Sequence, residues 1–450
     1  MADAFDLLVI GAGMAGTVAA NKAGARGWRV GIVDELPYGG TCALRGCDPK
    51  KILRRGAEVI ADARLMQGKG IDPGTLRVDW RDLMAHKRGF TDGIPRSMER
   101  ELRSNSVECL HGAARFTGPQ RVEVDGVGYG AEHVLIATGA RPRPLDFPGS
   151  ELLIDSTAFL QLEDLPQRIV FVGGGYIAFE FAHIAGHIGA SAVVVDRGDR
   201  PLRHFDPDLV RLLVERSRRD GVEVHEQTEV VGIVRSGADF QVTVERAGVT
   251  SKLSADLVVH AAGRVPELQH LDLDAAGVEG GPEGVLVADH LQSTTNPAVY
   301  AAGDAAQTQA ARLTPVAVIE GKVAASNLLK GTRIAPSYAG VPSTVFTLPE
   351  LNRVGLLEYE ARAIGLDLDV RYTDTSSWYS DYRVGESTGA AKILVDRSND
   401  RVLGAHLLGH DSAELINTFG LAIKLGLTAA QLRSAVATYP STGSDLSALL

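Results

Sequence analysis

Short apolar runs alternate with helical patterns through the first half of the chain, which predicts doubly wound α/β units with parallel sheets. Two of these runs feed a glycine turn. Phe5 to Ile10 enters Gly11, Gly13 and Gly16, and Arg168 to Val172 enters Gly173, Gly175 and, in the third place, Ala178. Residues 216 to 262 read as alternating strands closed by Gly263 to Pro266, and a further strand, Val299 to Ala302, ends at Gly303 and Asp304. From about Tyr338 the texture changes to a strand around Val345, strands Ala391 to Val395 and Val402 to Leu408, and helices from Ser412. That pattern predicts a separate α+β domain. There is no short-period repeat; the paired glycine turns point to a duplicated dinucleotide fold.

Length and charge narrow the reading. At 450 residues the chain exceeds one ordinary domain, and 45% hydrophobic with 23% charged residues is a globular composition. A net charge of -10 argues against nucleic acid as a main partner. The N-terminal MADAFDLLVI has neither a basic segment nor a small-residue cleavage site, and no apolar stretch is long enough to span a bilayer. A cytoplasmic protein with no membrane partner is expected. Three cysteines cannot build a disulfide scaffold, so a close pair in a reducing compartment reads as catalytic or metal-binding.

In the first turn Gly11 permits the tight bend, Gly13 lets backbone approach a pyrophosphate and Gly16 packs helix on strand. The next strand, Trp28 to Val33, ends in Asp34, which is placed to accept from an adenosine ribose. Directly afterwards comes Gly39-Gly40-Thr41-Cys42-Ala43-Leu44-Arg45-Gly46-Cys47-Asp48-Pro49-Lys50-Lys51. Nearby positive charge and a helix terminus depress a thiol pKa, and Lys50 and Lys51 supply such charge.

This segment resembles the active site of the flavoprotein disulfide reductases, the family of glutathione reductase, dihydrolipoamide dehydrogenase and mercuric reductase. The resemblance implies that Cys47 is the charge-transfer thiol facing FAD and Cys42 the interchange thiol that attacks substrate, with Thr41 among the cofactor-binding positions. Asp48 departs from the apolar residue usual in the family. The run from Gly173 to Glu180 is similar to the family's nicotinamide turn, which implies a gating role for Tyr176 and makes Glu180 the partner of Lys50 or Lys51. The linker Ala137-Thr138-Gly139, Gly263, the stretch Thr295 to Asp304 and Leu313-Thr314-Pro315 resemble further cofactor motifs, implying FAD contacts from Thr138, Gly139, Asp304 and Thr314.

Two signals oppose each other at the adenosine ribose of the nicotinamide dinucleotide. Asp196, at the end of the strand Ala192 to Val195, favours the free hydroxyl of NADH. Arg197, Arg200 and Arg203 follow it, and Arg197, Arg203 and Ala178 match the glutathione reductase pattern, so NADPH is expected, with NADH possible as a second donor.

The C-terminal segment departs from the glutathione reductase pattern. Where that pattern has a His-Pro pair and a Glu orienting the His, this chain has Tyr439, Pro440 and Ser444. A phenol is a poor proton acceptor at neutral pH. A tyrosine here is similar to mercuric reductase, yet the chain lacks that enzyme's additional cysteine pair before Leu450, and its third cysteine is Cys109. The resemblance implies an α/β fold with two doubly wound dinucleotide-binding domains, for FAD and NAD(P), plus a C-terminal α+β dimerisation domain. The expected boundaries are 1–145 and 265–335 for the two parts of the FAD and central region, 146–264 for NAD(P), and 336–450 for the interface. It also implies a homodimeric oxidoreductase passing electrons from NADPH through FAD and the Cys42/Cys47 pair to a small-molecule acceptor, with no resident metal. Three readings compete with this one: a disulfide reductase with a substitute base, a mercuric ion or quinone reductase, and a silent redox-sensing flavoprotein.

Overall fold

Phe5–Ile10 is covered on both faces, which is why its sequence shows an apolar run where a half-exposed strand would alternate. In the computed structural model, which describes residues 4–450, this strand lies at the centre of a mainly parallel sheet. The first three residues of the N-terminal stretch read above for a signal lie outside the described residues. The chain divides into two units. The first comprises residues 1–49, 86–143 and 263–338, and the second residues 50–85, 144–262 and 339–450.

In the first unit Phe5–Ile10 pairs in parallel with Val30–Asp34 on one side and Val127–Ile136 on the other. Val107–His111 extends the first edge, while Val299–Ala301 joins Val127–Ile136 in parallel. The helices Met14–Gly24 and Thr314–Lys330 pack closely: a Cβ on Gly321 would stand 2.3 Å from the Ala15 carbonyl oxygen. A side chain there would push the helices apart.

The second unit repeats the theme. Its parallel sheet runs in the order Val222–His225, Ser191–Val195, Arg168–Val172 and Leu257–His260, with the helix Tyr176–Ile188 following the glycine turn. An antiparallel meander covers Glu229–Ser236, Asp239–Arg246 and Val249–Ala255. The alternating block read from residue 216 begins later than expected, because Arg216–Arg219 complete the helix Pro207–Arg219. Asp206 caps that helix by accepting from the Asp208 and Leu209 N–H groups, and Leu209, Val210, Leu213 and Val214 are buried at helical spacing. Residues from Ser343 form a five-stranded antiparallel sheet ordered Ser343–Val345, Glu350–Gly355, Val402–Gly409, Ala390–Asp396 and Leu368–Asp374, with the helix Ser412–Leu425 packed on it. Among the described residues no helix is long and apolar enough to cross a membrane.

Candidate active site

In the first unit the chain leaves Phe5–Ile10 at Gly11, whose φ of +105° is open to glycine. A Cβ here would meet the Ala137 carbonyl oxygen at 2.3 Å. The Ala12 N–H donates to Asp34 Oδ2 at 2.7 Å and the Leu36 N–H to Asp34 Oδ1 at 2.9 Å, so Asp34 clasps the turn. Gly13 starts the Met14–Gly24 helix with no side chain capping it and no acidic residue in its first turn. The helix thus presents backbone N–H groups and the positive end of its dipole, which suits a pyrophosphate. Gly16 has no room for a side chain, since a Cβ would lie 2.0 Å from the Gly11 carbonyl oxygen.

Thr41–Arg45 forms a π-helical turn after Gly40, and Cys47 opens the helix Cys47–Leu65. Cys42 is half-buried and Cys47 exposed, and the two side chains are hydrogen-bond partners. The Thr314 hydroxyl lies 3.5 Å from Cys47 Sγ and also bonds Cys42. Its bond to Cys47 and its burial raise the Cys42 thiol pKa, the Asp48 charge adds to that, and Thr314 opposes it. A second strand end supplies Asp304 in the single turn Gly303–Ala305. Burial pushes its carboxyl up while Arg264 and Arg312 pull it down. Gly303, Asp304, Thr308, Arg312 and Glu320 line a cavity of about 110 Å³. Thr138 donates to the Glu267 carbonyl at 2.6 Å, and both Gly139 and Gly263 have positive φ.

The second unit holds the other predicted residues. Gly173, with φ +115°, repeats the bend of Gly11, and Gly175 starts the Tyr176–Ile188 helix uncapped. Ala178 is fully buried. Glu180 is 2% exposed, with Oε2 at 2.9 Å from Lys50 Nζ and 2.6 Å from Lys51 Nζ, and Oε1 accepting from the Phe346 N–H at 3.2 Å. Burial alone would raise its pKa, but Lys50 and Lys51 outweigh that and hold it at about 2. Lys50 also sits over the Tyr176 ring, 5.2 Å from its centroid, and Lys51 over Phe346 at 4.0 Å. Tyr176 itself is half exposed.

Asp196 accepts from the Gly174 and Gly198 N–H groups, and burial raises its pKa. This copies the clasp of Asp34 on Ala12. Arg197 is exposed, 3.9 Å from Glu229, and Arg203 is exposed with its charge felt by Asp196. Tyr439 is 79% exposed. Ser444 does not orient it: its hydroxyl donates to the Ser441 carbonyl and accepts from the Ser441 N–H at 3.3 Å. Sequence reasoning missed Arg264, Arg312 and Glu320. Arg264 directly follows Gly263, which was a usable signal; Glu320 lies in a helix where only the fold reveals its partners.

Residues 5–321 match the family described as pyridine nucleotide-disulphide oxidoreductase, and residues 341–448 match its dimerisation domain. The chain belongs to this family. It is 33% identical to a glutathione reductase of Burkholderia cepacia, covering 98% of this chain and 97% of that one. It is 32% identical to the chloroplastic/mitochondrial glutathione reductase of Pisum sativum, covering 98% and 81%. Its structure is similar to the Cu(II) complex of the HOCl-induced flavoprotein disulfide reductase RclA from Escherichia coli, with a TM-score of 0.88, 26% identity and 99% of each chain covered. The protein is therefore an FAD- and NAD(P)H-dependent disulfide oxidoreductase whose redox-active pair is Cys42 and Cys47.

Proposed function

We propose that this enzyme uses NADPH, with NADH as a weaker second donor, to reduce a small acceptor that does not need a histidine base. The observation that carries this reading is Tyr439, an exposed phenol at the place where the glutathione reductase pattern has its acid/base, with Ser444 engaged to Ser441 and so not orienting it. Positioned acid/base catalysis is worth about 10² to 10⁴, so its absence weighs against ordinary disulfide substrates. The RclA relative is described as HOCl-induced and as a Cu(II) complex. Copper(II) therefore joins quinones, mercuric ion and small electrophiles as acceptors to test.

When bound, FAD supplies two-electron exchange with the nicotinamide and with the disulfide. Its expected ligands fit that group: the uncapped helix start after Gly13, the Asp34 clasp, Thr138, Gly139, Gly263 and the Asp304 turn beside Arg264 and Arg312. In the reduced enzyme Cys47 faces the cofactor and Cys42 attacks the acceptor, with Thr314 donating to the sulfurs. Two electrons and two protons leave the dithiol, and the disulfide returns. Gly173, Gly175, Ala178, Arg197 and Arg203 take the nicotinamide dinucleotide, Tyr176 gates it, and Lys50 and Lys51 hold the role the resemblance gives to the partner of Glu180. We further propose the four-part domain division given above, a homodimer in which Tyr439 serves the partner subunit's Cys42, and a cytoplasmic location.

NADPH oxidation by the purified enzyme, followed with Cu(II), quinones, mercuric ion, oxidised glutathione and lipoamide, tests the reading. Rates with either disulfide equal to those of a dedicated reductase overturn it.

A further inference from the structure

Glu320 is a fully buried carboxylate whose three hydrogen-bond partners among the described residues are donors from three parts of the first unit. Its Oε2 accepts from the Gly303 N–H at 2.6 Å, and its Oε1 accepts from the Thr308 hydroxyl at 3.0 Å and the Tyr338 hydroxyl at 2.8 Å. Burial and the nearby Asp304 charge raise the Glu320 pKa, and the three donors, Tyr338, Gly303 and Thr308, oppose that rise by favouring the carboxylate. A carboxylate with no exposure is costly unless its hydrogen bonds are filled, and here they are.

The placement gives those bonds a purpose beyond packing. Gly303 has φ +70° and directly precedes Asp304, so the N–H that Glu320 holds is the one that fixes how the Gly303–Ala305 turn presents the Asp304 carboxylate. Thr308 lines the same cavity as Asp304 and Arg312, and Tyr338 closes the unit in sequence. The helix bearing Glu320 packs closely on the helix Met14–Gly24, with Gly321 seated against the Ala15 carbonyl. Ala15 lies in the first turn of the helix that opens at Gly13. The helix Thr314–Lys330 thus touches both turns read as cofactor-binding, through Glu320 at Gly303 and Gly321 at Ala15.

We infer that Glu320 is a positioning residue for FAD, fixing the Gly303–Asp304 turn through the Gly303 N–H and tying it to Thr308 and Tyr338. The inference rests on the reading of Asp304 as an FAD ligand. Glutamine keeps the geometry: its carbonyl oxygen can accept from Gly303, and its amide can donate to two hydroxyls that each retain acceptor capacity. Alanine leaves a buried N–H without a partner.

The test measures FAD affinity of the holoenzyme by the fluorescence of released flavin on dilution, for the parent, Glu320→Ala, Glu320→Gln and Asp304→Ala. Glu320→Ala is expected to bind FAD at least about tenfold more weakly, and Glu320→Gln to stay within about threefold of the parent. Rescue by glutamine shows that the hydrogen-bonding side chain, and not its negative charge, holds the turn. Equal retention by both Glu320 variants, or equal loss from both, overturns the inference. Asp304→Ala separates the two readings. If it keeps FAD as the parent does, the Asp304 assignment fails and takes the inference with it; if it loses FAD while Glu320→Ala does not, the Glu320 inference alone fails. Should Glu320→Ala not fold, the pair Thr308→Val with Tyr338→Phe leaves the carboxylate only Gly303. It is expected to weaken FAD about threefold, and parent-like affinity overturns the proposal.

Discussion

The Thr314 hydroxyl lies 3.5 Å from Cys47 Sγ, at the start of the helix Thr314–Lys330. A donor at that place stabilises a thiolate over a thiol, and the helix start adds positive dipole. Replacing Thr314 with valine keeps the shape and removes the donor. The pH at which the reduced enzyme develops its long-wavelength thiolate absorption should move up by about one unit. Serine should restore it. A titration curve unmoved by valine would show that the contact is incidental.

The cysteine roles separate by the same absorption. Cys47→Ser should abolish the band in the two-electron-reduced enzyme, whereas Cys42→Ser should show it in the resting enzyme, because Cys47 then has no disulfide partner. A colourless purified protein, or a band indifferent to Cys47, would sink the assignment.

Much of this was legible in the sequence because the chemistry is local. The turns at Gly11 and Gly173 and the pair Cys42/Cys47 are written in consecutive residues, and backbone conformation there leaves few substitutes. The long-range partners were not written. Whether Lys50 or Lys51 pairs with Glu180 depends on two helices more than a hundred residues apart, and the structure gives both lysines to one carboxylate. Likewise Asp196 reads from sequence as a ribose ligand opposing two arginines, while its hold on Gly174 emerges only from the folded turn. Arg216 to Arg219 misread as strand because helix ends carry little periodic signal.

Glu180 predicts an acid sensitivity. Its folded pKa of about 2 lies below the unfolded value of 4.5, so its contribution to stability is fully present above pH 4.5 and is lost as pH falls toward 2. Glu180→Gln should remove that contribution, costing on the order of 3 kcal/mol at pH 7 by leaving two lysines without their anion. Urea unfolding from pH 7 down to pH 3 measures it. The parent should lose more stability over that range than the variant, and parallel curves would refute the assignment.

Under the proposed function, donor choice follows from Asp196 and its neighbours. An anion beside the ribose disfavours a 2'-phosphate, and one arginine offsets roughly one carboxylate, about 1 to 4 kcal/mol at 4 Å between bulk water and a protein surface. The parent should prefer NADPH only modestly. Asp196→Ala should widen that preference, and Arg197→Ala should reverse it. Stopped-flow reduction with each nucleotide gives the ratio, and a strong NADH preference in the parent would mean that Asp196 outweighs Arg197 and Arg203.

Under the proposed function, Tyr439 governs which acceptor the dithiol serves. Its phenol is 79% exposed in the single chain, which in the proposed homodimer leaves it free to meet the partner's active site, where a phenol can donate a hydrogen bond. Reduction by the nicotinamide should not depend on it. Tyr439→Phe should therefore slow turnover with the true acceptor while leaving the reductive half-reaction nearly unchanged. Tyr439→His alone places an imidazole there without an orienting carboxylate. Adding Ser444→Glu supplies one but breaks the Ser441–Ser444 bonds, so the segment must rearrange before the ring is held. The double variant should raise weak activity toward oxidised glutathione above that of either single change, with the gain limited by the remaining substrate contacts. Single-turnover oxidation of the reduced enzyme by oxidised glutathione measures that step directly. If the parent already reduces this disulfide as fast as the double variant does, the missing imidazole does not limit the reaction, and substrate contacts elsewhere set the acceptor.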